Sequence, residues 1–375
     1  MEAQRILKAD HEYRELDEWL KQAHITRLFL VCGNSIERLD IAGYFHSLES
    51  RLGIHVTRFS DFAPNPAYES AVKGVRLFTS GSCDGIIAVG GGSAMDVAKC
   101  IKLFSGMDPN RNFLEQKAVL NAIPFLAVPT TAGTGSEATR FAVIYYHGEK
   151  QSITDESLIP AAVLFQDKFL EPLPVYQKKA AMLDALCHGI ESFWSVNSTV
   201  ESRELSKAAI TKILENRDAY LSGQQQACKE MLAASYLAGK AINITQTTAG
   251  HAMCYKLTSL YGIAHGHAAA LSVRRLWPYM LGHLENGVDS RGEKWLEEMF
   301  LDLAKTFGAD TAREGAEVFD RFIASLGLEI PVSGSDEEYV TLKNSVNAVR
   351  MKNNPIFLST EEIDGLYHDI IRKKE

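Results

Sequence analysis

The chain has 375 residues, 46% hydrophobic and 23% charged, which is the mix of a folded globular protein and excludes wholesale disorder. Its 39 basic and 47 acidic side chains leave a formal charge of −8, which argues against a partner bound through nucleic-acid phosphates, and no apolar run is long enough to span a membrane. The opening stretch MEAQRILKADHEYRELDEWL lacks the apolar core of a secretory signal, and the six cysteines (32, 83, 100, 187, 228, 254) follow no CxxC spacing, so reduced thiols and a cytoplasmic location are expected.

Residues 27–32 (RLFLVC) predict a buried strand that ends at Gly33-Asn34-Ser35. Residues 54–59, 85–89 and 123–128 predict three more, with amphipathic stretches of helical length in between. Strands alternating with helices imply a parallel sheet covered on both faces. Beyond about residue 170 the pattern changes: residues 184–196, 201–220 and 227–245 repeat apolar positions at helical period, with few β-branched runs. The expected architecture is an α/β domain over residues 1–170 and an all-α domain over residues 171–375, divided near Pro172 and Pro174. Arg372-Lys373-Lys374 is expected to be a solvated tail.

Two loops of small residues leave predicted strand ends. Gly90-Gly91-Gly92-Ser93 opens a helical stretch; glycines let a backbone approach a ligand closely, and a helix N-terminus offers N–H groups to a phosphate, with Ser93 as its expected cap. The spacing is neither GxGxxG nor GxxxxGKS, and a plain strand-to-helix turn is the alternative. Residues 129–137 (PTTAGTGSE) form the second loop; two such loops leaving strand ends point to one ligand crevice along that sheet edge.

Asp184 and His188 are four apart in a helical segment and share one face. His251 and His265 follow, with His267 just beyond Gly266. One carboxylate and several imidazoles suit Fe(II) or Zn(II). A helical Asp–His pair is also a common surface or core contact, and loop histidines often serve turns, so spacing alone leaves both readings open.

GGGSAMDVAK (90–99), PTTAGTGSEATRFAVI (129–144) and LDALCHGIESF (183–193) resemble motifs of the iron-dependent, or group III, alcohol dehydrogenase family. His251 and His265, with thirteen residues between them, match that family's third and fourth metal ligands, and Asn347 with RMKNNP (350–355) resembles a late segment. The likeness runs from about Val31 to Pro355. It implies a Rossmann-like dinucleotide-binding domain, a helical metal-binding domain, a cleft between them and a homodimer. It implies Fe(II) or Zn(II) on Asp184, His188, His251 and His265. By the same likeness Gly90, Gly91, Gly92, Ser93 and Asp96 would sit at the pyrophosphate, and Thr130, Thr131, Thr134 and Ser136 would line the adenosine and nicotinamide-ribose side. The implied reaction is hydride transfer between a nicotinamide and a small aldehyde or alcohol, and neither nucleic acid nor a membrane is expected as a partner.

Three departures refine this expectation. Many members carry Asp where this chain has Gly33, followed by Asn34 and Ser35; without the carboxylate a 2′-phosphate is not repelled, which predicts NADP(H) over NAD(H). Tyr255 stands where the family often has histidine, so a proton relay there would use the Tyr255 hydroxyl. His267 is an addition beside His265, expected either to face the cleft as a proton donor or to pack beneath the loop. Residues 247–271 resemble phosphonoacetaldehyde reductases within the family, and Lys256 and Arg274 are expected to bind the phosphonate dianion of a substrate reduced to 2-hydroxyethylphosphonate. A generic short-chain alcohol dehydrogenase is the alternative. A dehydroquinate-synthase-like cyclase shares the architecture, but TAGTGSEAT fits the dehydrogenases better.

Overall fold

The computed structural model of the protein describes residues 4–373, so Lys374 of the expected basic tail lies outside the described residues. The chain forms two compact units, Met1–Leu173 and Pro174–Glu375.

The first unit contains, in order, β1 (Arg5–Lys8), α1 (Arg14–Gln22), β2 (Arg27–Cys32), α2 (Ile41–Leu52), β3 (His55–Phe59), α3 (Tyr68–Ser80), β4 (Gly85–Gly90), α4 (Gly92–Phe104), β5 (Phe125–Pro129), β6 (Phe141–Tyr146), β7 (Glu149–Thr154) and β8 (Ala162–Phe165). Six strands form one sheet in the order β1-β8-β5-β4-β2-β3, with every pairing parallel. Strand side chains alternate between faces, and each face has its own core. Leu28, Leu30, Ile87, Val89, Leu126 and Val128 pack with α1 and α2, whereas Phe29, Val31, Ile86, Ala88, Phe125 and Ala127 pack with α3 and α4. Burial on both sides explains why β4 and β5 read as continuous apolar runs.

The chain leaves β2 for β3 on one side and returns to β4 on the other. The order therefore reverses between β2 and β4, the position where open parallel sheets bind ligands at their carboxyl ends. The loops leaving these strands carry Gly33-Asn34-Ser35 and Gly90-Gly91-Gly92. The strand expected from residue 123 begins at Phe125, after Pro124, whose ring has no N–H for a ladder. β1, β8 and the antiparallel β6–β7 hairpin add to the predicted strands.

The second unit contains α5 (Val175–Trp194), α6 (Val200–Leu221), α7 (Gln225–Thr245), α8 (Ala249–Tyr261), α9 (His265–Leu281), α10 (Glu293–Thr306), α11 (Ala312–Ser325), α12 (Asp336–Asn344), α13 (Ala348–Met351) and α14 (Thr360–Ile370). Trp277 of α9 lies at its centre, with ring centroids 6.0 Å from Trp194, 5.3 Å from Phe307 and 5.9 Å from Phe319. Two-residue strands, β9 (Val332–Ser333) and β10 (Arg372–Lys373), pair in parallel and are the departure from an all-helical unit; Arg372 and Lys373 thus belong to a strand, not to a free tail. Among the described residues no helix is long and apolar enough to cross a membrane. All six cysteines are buried and reduced.

Candidate active site

Helix α5 is buried along most of its length, and its face at Asp184, His188 and Glu191 is polar where a core helix should be apolar. The spacing of four and three residues stacks these side chains on successive turns. Helix α8 brings His251 against them, and α9 brings His265 from its first residue. Gly266 makes that approach possible: a Cβ there would lie 2.1 Å from the Ala180 carbonyl and 2.6 Å from the Asp184 Cβ, so only glycine lets α9 start directly on α5.

The Asp184 Oδ1 atom is the focus of the cluster. It lies 3.4 Å from His251 Nε2, 3.9 Å from His188 Nε2 and 4.0 Å from His265 Nε2. The His188 and His251 rings stack with centroids 4.5 Å apart. Asp184, His188 and His251 are buried and form the compact set, their ligand atoms all within 4.8 Å of one another. His265, whose side chain is 37% exposed, closes the set on the solvent side. Bonds of about 2.1 Å to one cation would put ligand atoms about 3.0 to 3.4 Å apart, so small side-chain adjustments suffice for these groups to share a divalent ion. A buried carboxylate facing three imidazole nitrogens is also the donor chemistry such an ion requires, so the set fits a resident Fe(II) or Zn(II).

Burial alone would raise the Asp184 carboxyl, but the fields of His188, His265 and His251 and the hydrogen bond from His251 outweigh it and hold the group well below the usual carboxylate range. Burial likewise opposes the charged form of His251, but Glu191 and Asp184 on its two sides push it up to about 9. Glu191, fully buried, is held below its ordinary value against burial by His251 and Thr248.

The other expected catalytic and substrate residues fall in distinct surroundings. Tyr255 stacks almost parallel on His265, with centroids 5.5 Å apart. His267 is 1% exposed, with Nδ1 3.3 Å from the Tyr176 hydroxyl, and burial lowers its pKa. It lies inside the first turn of α9 and against Tyr176 of α5, surroundings that fit the expected packing role better than the proton-donor role. Lys256, half-buried on α8, has no ion pair among the described residues. Arg274 does not meet its expectation: its guanidinium forks onto Asp320, with Nε to Oδ1 at 2.5 Å and Nη2 to Oδ2 at 3.1 Å, and a cation so paired is not available to a substrate dianion.

In the first unit the two loops pack on each other. A Cβ on Gly91 would meet Thr131 Oγ1 at 3.0 Å, and one on Gly92 would meet Thr134 Cγ2 at 2.9 Å. Helix α4 begins at Gly92 and no side chain caps it; Ser93 lies inside its first turn and is not the expected cap. Its first-turn N–H groups thus face the loop region without a side-chain acceptor, which suits an anion. Asp96 accepts from the Ser136 hydroxyl, so both residues help hold the second loop. Thr130 donates its N–H to the Gly90 carbonyl. Gly33 precedes a single helical turn at Asn34 and Ser35, with Asn34 Oδ1 3.4 Å from Arg58 Nη2.

Three residues were missed in the sequence. Glu191 carried a signal, since it continues the Asp184, His188 face inside a quoted motif. Lys99 closes another quoted motif, but nothing there marks its partners: it is 0% exposed and donates to the carbonyls of Ser136, Thr139 and Phe141 and to the hydroxyls of Ser136 and Thr139, acceptors some forty residues away. Burial lowers it to about 8 even so. Arg58, at the end of β3, donates to the Gly33 carbonyl at 3.3 Å and pairs with Glu37, a placement visible only once β2 and β3 are neighbours.

Residues 3–167 match the sequence model of the iron-containing alcohol dehydrogenases, and residues 178–371 match the C-terminal model of the Fe-containing alcohol dehydrogenase family. A phosphonoacetaldehyde reductase of Streptomyces viridochromogenes is 33% identical over 300 residues, 76% of this chain and 75% of that protein. An NADPH-dependent butanol dehydrogenase of Clostridium saccharobutylicum is 29% identical over 373 residues, 93% of each chain. Among solved structures, a sulfoacetaldehyde reductase from Bifidobacterium kashiwanohense in complex with NAD+ superposes with a TM-score of 0.85 at 22% identity, covering 98% of this chain and 96% of its own.

Proposed function

This chain belongs to the iron-containing alcohol dehydrogenase family and is an oxidoreductase of the alcohol–aldehyde pair, and from that premise we propose that it reduces phosphonoacetaldehyde to 2-hydroxyethylphosphonate with NADPH. The observation that carries the catalytic part is the buried Asp184–His188–His251 cluster with His265 on its open side. When bound, a divalent iron or zinc there acts as a Lewis acid on the carbonyl oxygen. Asp184 supplies the anionic ligand, and neutral imidazoles of His188, His251 and His265 leave the cation electrophilic. The N-terminal loops at Gly90–Gly92 and Thr130–Ser136 would hold the coenzyme, a nicotinamide that would supply the hydride. The proton for the alkoxide enters on the half-exposed side, where the Tyr255 ring lies along His265.

The substrate assignment is supported by the 33% identical reductase and by Lys256, a cation without an ion pair on the helix that also carries His251. The coenzyme preference is supported by the absence of a carboxylate at Gly33-Asn34-Ser35. Fe(II) and Zn(II) both suit the ligand set, and the homodimer belongs to this same proposal.

The test is a coupled screen of the iron- or zinc-loaded enzyme with NADPH and NADH, offering phosphonoacetaldehyde, sulfoacetaldehyde and uncharged aldehydes of similar size. Phosphonoacetaldehyde with NADPH is expected to give the highest kcat/KM, and Lys256→Met is expected to lower it about tenfold or more while leaving uncharged aldehydes within about threefold. An uncharged aldehyde preferred by more than about tenfold, near 1.4 kcal/mol, would overturn the phosphonate assignment in favour of a generic alcohol dehydrogenase. A preference for sulfoacetaldehyde would move the assignment to a sulfonate.

A further inference from the structure

Glu191 is 0% exposed, and every hydrogen bond described for its side chain runs to Thr248 and His251 at the start of α8. Its Oε1 accepts the backbone N–H of Thr248 at 3.0 Å, the Thr248 hydroxyl at 2.7 Å and the backbone N–H of His251 at 3.1 Å. Its Oε2 is hydrogen-bonded with His251 Nδ1. Thr248 is the residue preceding α8, and its own side chain caps nothing, so Glu191 satisfies the orphan donors of that helix from α5. Trp194 Nε1 donates to the Thr248 hydroxyl at 2.9 Å, which fixes that hydroxyl's proton toward the carboxylate. The turn before α8 is held in turn: Gln246 has φ +61°, an unusual value for a side-chain-bearing residue, and its amide oxygen accepts from Arg350 at 2.8 Å.

With two backbone N–H groups and the Thr248 hydroxyl already donating to it, the Glu191 side chain is placed as an acceptor, so His251 presents a proton to it at Nδ1. That leaves Nε2, the nitrogen 3.4 Å from Asp184 Oδ1, as the atom aimed into the cluster. We propose that Glu191 is a positioning residue that fixes the His251 tautomer, so that Nε2 is the metal-binding nitrogen, while it anchors the start of α8 through the same carboxylate. The inference rests on the metal reading given above. It adds that the affinity of the centre depends on a residue that touches neither metal nor substrate.

Glu191→Gln separates the two jobs. The amide oxygen can still accept from Thr248 and from the His251 N–H, so the start of α8 keeps its anchor. The amide NH2 then faces Nδ1 as a donor, which drives the imidazole proton to Nε2 and blocks that nitrogen as a ligand. Two measurements on the full chain follow. In proton–nitrogen spectra of wild type, both metal-free and zinc-loaded, a hydrogen-bonded proton on His251 Nδ1 is expected, and in E191Q it should be gone. In competition titrations with a chromophoric chelator, E191Q is expected to bind zinc about 10- to 100-fold more weakly than wild type, with a metal-free thermal midpoint close to the wild-type value.

Wild-type zinc affinity in folded E191Q, or a lowered thermal midpoint with unchanged zinc affinity, would reduce Glu191 to an architectural residue and overturn the proposal. The absence of the Nδ1 proton in wild type would overturn it as well, and that measurement needs no variant should E191Q fail to fold. If wild type binds no zinc while the Nδ1 proton is present, the metal reading fails and the tautomer assignment stands.

Discussion

Among the buried charges, Glu137 differs from Lys99 in how little supports it. Lys99 reaches five oxygen acceptors, whereas Glu137, 2% exposed, has an Oε1 atom without a hydrogen-bond partner among the described residues. Burial raises the Glu137 carboxyl to about 7, against its backbone hydrogen bond and the field of Lys99. The folded chain therefore keeps this proton where the unfolded chain, titrating near 4.5, has lost it. Stability from this group falls as pH rises between those two values and stays reduced above them. Glu137→Gln removes the titration, so the variant is expected to match wild type near pH 4 and to exceed it at pH 8 by up to about 3 kcal/mol. Urea unfolding across that range measures the difference, and parallel curves for the two proteins would contradict it.

Elements set the catalytic geometry through one close crossing. Helix α9 starts on α5 because residue 266 has no side chain, and this start holds His265 within 4.0 Å of Asp184 Oδ1. Gly266→Ala would force α9 off α5 and carry His265 with it. The expected result is a loss of about a hundredfold in kcat, the cost typical of an ångström of misplacement, with coenzyme affinity within about twofold by fluorescence titration. Undiminished turnover would show that α9 yields at no cost to the site. The same scale explains what the sequence made legible. β2, β4 and β5 are sandwiched between two helical layers, so both faces are apolar and the runs stand out. β1 (RILK) buries only Leu7 and carries two charges, and the polar β7 (EKQSIT) depends on its hairpin partner; neither has a pattern of its own. The Asp184, His188 and Glu191 face was legible from helical spacing, but Thr248, which gives Glu191 its meaning, is 57 residues away. Arg274 looked available because its partner Asp320 is 46 residues further on. The triple glycine was read for a ligand or a plain turn, whereas the contacts with Thr131 and Thr134 arise from a loop forty residues later.

At the scale of the molecule, the proposed ion in the second unit would be a folding constraint as well as a catalyst. An ion bound only by the native state stabilises it by about 4 kcal/mol when its concentration is a thousandfold above Kd. Chelation is therefore expected to loosen α5, α8 and α9 while leaving the parallel sheet protected, as hydrogen exchange by peptide would record. Equal loosening of both units, or of neither, would contradict this. The enclosed sulfurs supply a second record of the same event. Cys32, Cys83 and Cys100 lie in the first unit and Cys187, Cys228 and Cys254 in the second, every one of them out of solvent. An alkylating pulse thus finds almost nothing to react with until a unit opens, and the mass of the tagged fragments then reports which half gave way first. Cys187 sits one residue before His188 and Cys254 three after His251, so those two act as native tripwires for loss of the ion, with no label engineered in.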